Sequence, residues 1–258
     1  MDFQTITVSE AGGVATIAMN RPAVMNALSA QMRRELAEAL RAAAATARCI
    51  VLTGTGRAFC SGQDLQDATN IAAVDLERIL NEEYVPLLRL ITEAPVPVIA
   101  AVNGAAAGAG ANLALACDVV IAAESASFIQ AFTRIGLIPD AGGTHWLPRQ
   151  IGLARAMGAA LFADKISARQ AADWGMIWEA VPDAEFEAVV AARAGHLAAG
   201  PTGAYRALKQ ALRRSFDLDL AGALALEARL QGQCGASGDF VEGVTAFLEK
   251  RAPRFKGA

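Results

Sequence analysis

Asp140 is the residue whose surroundings most clearly suggest acid–base chemistry. It lies in the segment IGLIPDAGGT, residues 135–144, which carries no other charge. Burial among apolar residues raises the pKa of a carboxyl group, and such a group can accept and return a proton near neutral pH. Aspartate is also common as the N-cap of a helix, and a helix is predicted to begin near Gly143. The residues alone leave these two roles equally open.

Two stretches of small residues could hold a negatively charged oxygen. They are FCSGQDL at 59–65, which follows a predicted strand, and NGAAAGAGAN at 103–112, which lies between a predicted strand and a helix. Small side chains leave backbone N–H groups accessible, and those at the start of a helix carry partial positive charge. Two such loops that converge on one oxygen would form an oxyanion hole. Spacing alone favours the alternative, which is two ordinary tight turns.

Composition excludes several other classes of protein. The chain has 258 residues, of which 54% are hydrophobic and 19% charged, and its net charge is -3. A disordered chain is excluded by this apolar content, and a nucleic-acid-binding protein is disfavoured by the slightly acidic charge. There are two histidines without an HExxH motif and four cysteines without a CxxC pair. We therefore expect no metal site, and buried free thiols in a reducing cytoplasm.

One long uncharged stretch, residues 94–117, has the length of a membrane span. It contains prolines, asparagines and glycines, so we interpret it as a buried strand, a loop and a buried helix. The N-terminal residues MDFQTITVSE lack the pattern of a secretory signal. We expect a cytoplasmic protein that does not insert into membranes.

The predicted elements that must position these residues form two regions. In the first half, apolar runs that end at glycines alternate with helical patterns, which predicts an α/β fold with parallel strands. The second half is mostly helical, with predicted helices at 144–151, 153–161, 167–174, 184–199, 201–214, 217–235 and 239–249. We divide the chain into an α/β core at 1–200 and a helical segment at 201–258, which we expect to contact a neighbouring subunit.

Several segments together identify a family resemblance. They are NRP at 20–22 with NAL at 26–28, AFCSGQDL at 58–65, PVIAAVNGAAAGAGANLALACD at 97–118 and IGLIPDAGGT at 135–144. In order and spacing they resemble the enoyl-CoA hydratase/isomerase (crotonase) superfamily, and the resemblance extends to FVEGVTAFLEKRAPRF at 240–255. It implies a crotonase-like spiral core of ββα turns that binds acyl-CoA. It also implies a C-terminal helical trimerisation segment, with trimers that often pair into hexamers.

The resemblance also implies roles for individual residues. The N–H groups of Gln63 and Ala109 occupy the positions that polarise the thioester carbonyl in the family. Cys60, Phe247 and Lys250 match positions that contact coenzyme A, although Lys250 could equally be a solvated basic end of a helix. Coenzyme A is part of the substrate, and we expect no separate cofactor.

Two departures from the family pattern bear on the reaction. Typical hydratases carry glutamates at the positions of Asn112 and Phe132, so the usual two-carboxylate hydration is not available to this chain. Asp140 occupies the position at which other branches place a catalytic carboxylate. Phe132, Ile135 and Leu137 are candidates for an apolar wall that excludes water.

The segments 108–118, 127–149 and 174–181 resemble the branch that isomerises ring 1,2-epoxyphenylacetyl-CoA. The resemblance therefore implies an acyl-CoA isomerase in which Asp140 moves the proton and main-chain amides hold an enolate. A Δ3,Δ2-enoyl-CoA isomerase or an atypical hydratase is the alternative enzyme. A non-catalytic acyl-CoA-binding subunit is the alternative of another class.

Overall fold

The structure, a computed structural model, describes residues 3–65 and 74–257. Its larger sheet contains β1 (Ile6–Ala11), β2 (Val14–Met19), β3 (Cys49–Gly54), β5 (Val98–Val102), β7 (Val119–Ala123) and β10 (Glu179–Val181), side by side in that order. The first two strands form an antiparallel hairpin and every later neighbour in the sheet is parallel. The predicted α/β class with parallel pairing is confirmed.

A smaller second sheet accompanies the first. Its strands are β4 (Ala58–Cys60), β6 (Ala105–Ala107), β8 (Ser127–Ile129) and β9 (Ile166–Ser167), in that order. The interpretation of 59–65 and 103–112 as loops was partly wrong, because these stretches contain residues of β4 and all of β6. Strands of three residues are too short to show the alternation by which strands are recognised in a sequence.

Helices cover both sheets and form the C-terminal region. They are α1 (Ala30–Thr46), α2 (Leu76–Ile79), α3 (Val85–Thr92), α4 (Ala109–Ala116), α5 (Gly143–Phe162), α6 (Ala168–Asp173), α7 (Phe186–Ala199), α8 (Thr202–Arg214), α9 (Leu220–Gly235) and α10 (Gly238–Leu248). A π-helical turn at Leu80–Tyr84 joins α2 to α3, and a 3-10 helix occupies Ala131–Ile135. The two helices predicted at 144–151 and 153–161 are present within α5, where a kink with non-helical backbone at Gly152 (φ +75°) separates them.

The uncharged stretch at 94–117 lies in the core. Every residue of α4 is buried, and so is every residue of β5. A strand that is covered on both faces has a continuous apolar sequence, which explains the absence of charge. No helix within residues 3–65 and 74–257 is both long enough and apolar enough to span a bilayer.

A buried ion cluster joins α8 to the core. The Asp118 carboxylate lies 2.6 Å from Lys209 Nζ and 2.9 Å from Arg213 Nη2. It also accepts a 2.8 Å hydrogen bond from the N–H of Val98, at the start of β5. Lys209 donates in addition to the Val96 carbonyl at 2.9 Å. One carboxylate therefore pairs with two cations of the C-terminal region, which leaves the cluster with one net positive charge, and links both to the start of β5.

We predict that Asp118→Asn lowers the free energy of unfolding by about 3 kcal/mol, because it leaves a largely buried lysine without its counter-charge. Urea denaturation measures the change. The double variant Asp118→Asn/Lys209→Met is the control and should recover part of the loss, since it removes the uncompensated cation. An unfolding free energy within about 0.5 kcal/mol of the parent would contradict this account.

Candidate active site

The pairing of β4 with β6 brings the two stretches of small residues together. Ala58 pairs with Ala105 and Cys60 with Ala106, in parallel. Parallel strands have their carboxyl ends at the same edge of a sheet, so the segments that follow both strands emerge side by side. The first segment leads to Gln63 and the second to the start of α4.

Two glycines allow these segments to approach each other closely. Gly62 has a φ of +95°, and a Cβ atom there would lie 2.8 Å from the Ala107 carbonyl oxygen and 3.5 Å from the Ala109 nitrogen. A Cβ atom on Gly110 would lie 2.4 Å from the carbonyl oxygen of Cys60. Larger residues at either position would force the two segments apart.

The backbone hydrogen bonds orient the two candidate N–H groups. Leu28 donates to the Gly62 carbonyl at 2.8 Å and accepts from the Asp64 N–H at 3.3 Å, so Leu28 and Gln63 form a parallel bridge. Because both hydrogen bonds of this bridge use the neighbours of Gln63, the N–H of Gln63 itself points away from Leu28. Ala109 is the first residue of α4, and its N–H therefore has no acceptor within the helix. Two adjacent N–H groups of this kind can hold one negatively charged oxygen.

A buried polar cluster holds the Gln63 side chain. Its Oε1 atom accepts a 2.9 Å hydrogen bond from Arg33 Nη1 and a second, short hydrogen bond from the Tyr84 hydroxyl. Arg33 also donates to the Leu28 carbonyl at 2.6 Å and to Glu83 at 2.7 and 2.9 Å. The sequence analysis missed this cluster, because its members are far apart in the chain. The one local signal in the sequence is Arg33, a basic residue among the apolar residues that α1 buries.

The Asp140 side chain is not a helix cap. The N-cap of α5 is Gly142, and no side chain caps that helix. The Asp140 Oδ1 atom is buried and has no hydrogen-bond partner. Burial raises the pKa of Asp140 to about 6. Of the two roles that the sequence left open, helix capping is therefore wrong, and acid–base chemistry stays a prediction.

Asn112 contacts the main chain of Asp140, and Phe132 contacts Gly108 just before α4. Asn112 is fully buried, and its Nδ2 atom donates to the Asp140 main-chain carbonyl at 2.8 Å. Its Oδ1 atom accepts from Gln130 Nε2 at 2.9 Å, a contact that the sequence analysis did not anticipate. The Phe132 ring is buried and packs on Gly108, within 3.7 Å of the position of a Cβ atom there.

The other sequence-predicted residues lie in different surroundings. The Cys60 side chain is fully buried against Gly110, and burial raises the pKa of its thiol to about 12. Any contact of Cys60 with a ligand would therefore involve its backbone. Phe247, at the end of α10, is 82% exposed, and Lys250 follows that helix on the surface. Ile135, a candidate for the apolar wall, is also exposed.

The raised pKa of Asp140 means that ionisation of its carboxyl group opposes folding. The folded state binds this proton more tightly than the unfolded chain, so the cost of ionisation develops as the pH rises from about 4 to about 6. We predict that Asp140→Asn increases the free energy of unfolding by about 2 kcal/mol at pH 8, and that most of the increase disappears at pH 4. Urea denaturation at both pH values measures the difference. The exposed Asp164→Asn serves as the control, and an equal effect of both variants at pH 8 would refute the prediction.

Comparison with known proteins gives a consistent result. The family model for enoyl-CoA hydratase/isomerase matches residues 9–258. A protein from Rhodobacter capsulatus named "Probable enoyl-CoA hydratase" is 62% identical, and the alignment covers 100% of both chains. The 1,2-epoxyphenylacetyl-CoA isomerase of Escherichia coli is 48% identical, with 95% of each chain covered.

The fold agrees with solved structures of the same family. The crystal structure of an enoyl-CoA hydratase from Bacillus anthracis superposes with a TM-score of 0.91 at 36% identity, covering 99% of this chain and 100% of that one. The expected crotonase-like fold, with mixed α/β sheets and a helical C-terminal region, is confirmed. The chain belongs to the enoyl-CoA hydratase/isomerase family.

Proposed function

We propose that this protein is an acyl-CoA isomerase that converts 2-(1,2-epoxy-1,2-dihydrophenyl)acetyl-CoA to oxepin-CoA. The observation that carries the proposal is the buried, unpartnered Oδ1 atom of Asp140, in a carboxyl group whose pKa is raised to about 6. The 48% identity to a protein named 1,2-epoxyphenylacetyl-CoA isomerase supports the choice of substrate.

Asp140 would move one proton within the substrate. Near pH 7 its carboxylate is mostly ionised and can take a proton from the carbon next to the thioester carbonyl. The electron pair left behind spreads onto the carbonyl oxygen as an enolate. The carbon–carbon bond shared by the epoxide and the six-membered ring breaks, and its electron pair joins the ring double bonds to give the seven-membered oxepin. The carboxyl group delivers the proton to the ring carbon at the far end of the conjugated enolate, while the enolate electrons shift into a new double bond between the ring and the side chain. No atom is gained or lost, so a single carboxyl group suffices.

The N–H groups of Gln63 and Ala109 would hold the enolate oxygen. In comparable sites the loss of one such donor costs about 3–4 kcal/mol of transition-state stabilisation. The Arg33–Tyr84 cluster keeps the Gln63 side chain in place, which fixes the adjoining main chain. Phe132 packs on Gly108 and would exclude water from the reacting carbons.

A hydratase is the second candidate, since the relative from Rhodobacter capsulatus bears that name. Hydration of a double bond needs a base to activate water and an acid to protonate carbon. Nearby carboxylates are engaged elsewhere: Glu83 pairs with Arg33, and Asp64 pairs with Arg21 at 2.7 Å. A side-by-side assay of crotonyl-CoA and a 3-enoyl-CoA distinguishes hydration from double-bond migration, and rapid hydration of crotonyl-CoA would contradict our proposal.

Self-association and coenzyme A binding are further parts of the proposal. A groove of about 1300 Å³ among α8, α9 and α10 has an apolar lining that includes Leu224, Phe240 and Phe247. Such a surface on a monomer is typical of a subunit contact, in keeping with a trimer or hexamer. Phe247 and Lys250 are exposed here and could contact the coenzyme A bound to a neighbouring subunit. We expect a cytoplasmic enzyme with no nucleic-acid or membrane partner.

We predict that Asp140→Asn lowers turnover of the epoxide thioester at least about 100-fold while acyl-CoA binding is retained. Steady-state kinetics and calorimetric titration with a substrate analogue measure the two effects. Near-normal turnover would refute the role of Asp140. If the parent protein binds acyl-CoA but neither converts the epoxide thioester nor exchanges the α-hydrogen in deuterated water, a non-catalytic binding subunit is the correct function instead.

A second prediction concerns pH. We expect kcat/KM to decrease as the pH falls through about 6, because protonation of Asp140 removes the base. The residual activity of Asp140→Asn should show no such step. A midpoint near 4 would mean that the carboxyl group is solvated during the reaction and would argue against our assignment.

A further inference from the structure

A chain of two buried amides ends on the main chain of Asp140. Gln130, the residue after β8, donates from Nε2 to Asn112 Oδ1 at 2.9 Å. Asn112, in the middle of α4, donates from Nδ2 to the Asp140 carbonyl oxygen at 2.8 Å. Gln130 and Asn112 have no exposed surface. The same Asp140 carbonyl also accepts from the N–H of Gly143, at the start of α5.

Both hydrogen bonds in this chain of amides are donated in the direction of Asp140, and an oxygen at each end of it has no partner. Gln130 Oε1, at its far end, is buried and has no hydrogen-bond partner. Asp140 Oδ1, at its near end, is also buried and unpartnered. A buried polar atom that lacks a hydrogen bond costs folding free energy. An apolar side chain at position 130 would remove the unpartnered Oε1 atom but leave Asn112 Oδ1 without its donor, so the number of unsatisfied oxygens would not change and hydrogen bonding alone does not favour the glutamine.

We propose that Asn112 and Gln130 are positioning residues for the acid–base step: their amide chain fixes the main chain of Asp140 and thereby aims its carboxyl group, without bonding the carboxylate. This inference rests on the proposed function, in which that carboxyl group moves the proton. Asn112 acts through Asp140, and Gln130 acts through Asn112.

Attachment at the carbonyl, not at the carboxylate, matters for the chemistry. A hydrogen bond from Asn112 to the carboxylate would stabilise the charge, lower the pKa of Asp140 and weaken it as a base. The structure instead holds the residue by its backbone. The Asp140 charge also acts on the Tyr84 hydroxyl. Burial is the main cause that raises the pKa of Tyr84, and the Asp140 charge adds to the rise.

The experiment replaces Gln130 with leucine. This variant removes the unpartnered Oε1 but leaves Asn112 Oδ1 without its donor, so one unsatisfied acceptor replaces another and Tm should stay within about 3 °C of the parent. We expect kcat for the epoxide thioester to fall about tenfold, because small displacements of a reacting group are costly, while KM changes less than about twofold.

Gln150→Leu is the matched control. Gln150 lies in α5 and also has a buried, unpartnered Oε1, but among the described residues no hydrogen bond joins it to Asn112 or Asp140. We expect this control to retain the parent kcat. If Gln130→Leu loses stability but keeps the parent kcat, Gln130 has a purely structural role and the proposal is overturned. If Gln130→Leu does not fold, Gln130→Met, which keeps the length of the side chain, replaces it.

A second readout does not depend on turnover. Infrared difference spectra of the protonated carboxyl group, identified by its absence in Asp140→Asn, give the pKa of Asp140 directly. Release of the main chain in Gln130→Leu should let water reach the carboxylate and lower that pKa from about 6 towards its ordinary value. An unchanged pKa together with an unchanged kcat would overturn the positioning role. Full activity of Asp140→Asn would instead overturn the proposed function, so the two failures are distinguishable.

Discussion

The close approach of two backbone segments is the constraint on which the candidate site depends. The pairing of β4 with β6 sets the distance between them, and Gly62 and Gly110 permit it, because a side chain at either position would meet backbone atoms within 2.8 Å. Once the segments lie together, the N–H groups of Gln63 and Ala109 emerge next to each other. The oxyanion function proposed for them needs no particular side chain at either residue. What this function requires is glycine at positions 62 and 110 and the pairing of β4 with β6.

The second element of the site is costly to the fold. The Asp140 carboxyl group, with a pKa of about 6, is partly buried, and its buried Oδ1 atom has no hydrogen-bonded partner. Its ionisation near neutral pH opposes folding, and the large apolar core around α4 and β5 offsets that cost. A locally unfavourable group that persists within a well-packed core is typical of functional sites. The surrounding residues fix the position of Asp140 while leaving its charge uncompensated, which a general base requires.

How much the sequence could predict differs from element to element. The hairpin of β1 and β2 and the capping of α1 by Ser29 follow from local patterns, and both are present in the structure. The short strands β4 and β6 could not be recognised, because three residues are too few to show a periodicity. Asp140 could be singled out as a charge in an apolar segment, but its two possible roles could be separated only by the hydrogen bonds of its side chain. Arg33, Tyr84 and Gln130 were missed, since their contacts join residues that are distant in the chain.

The amide at position 112 connects the loss of one carboxylate with the use of another. Asn112 donates to the Asp140 carbonyl and accepts from Gln130 at the same time. An ionised carboxylate can only accept hydrogen bonds. A glutamate at this position, as the resemblance implies for typical hydratases, could not hold the Asp140 carbonyl, and its negative charge would hinder ionisation of Asp140. The Asn112 amide and the Asp140 carboxyl group therefore depend on each other. A protein that uses Asp140 for proton transfer benefits from a neutral hydrogen-bond donor at position 112. A protein with a carboxylate at position 112 would have to hold the segment around residue 140 in another way.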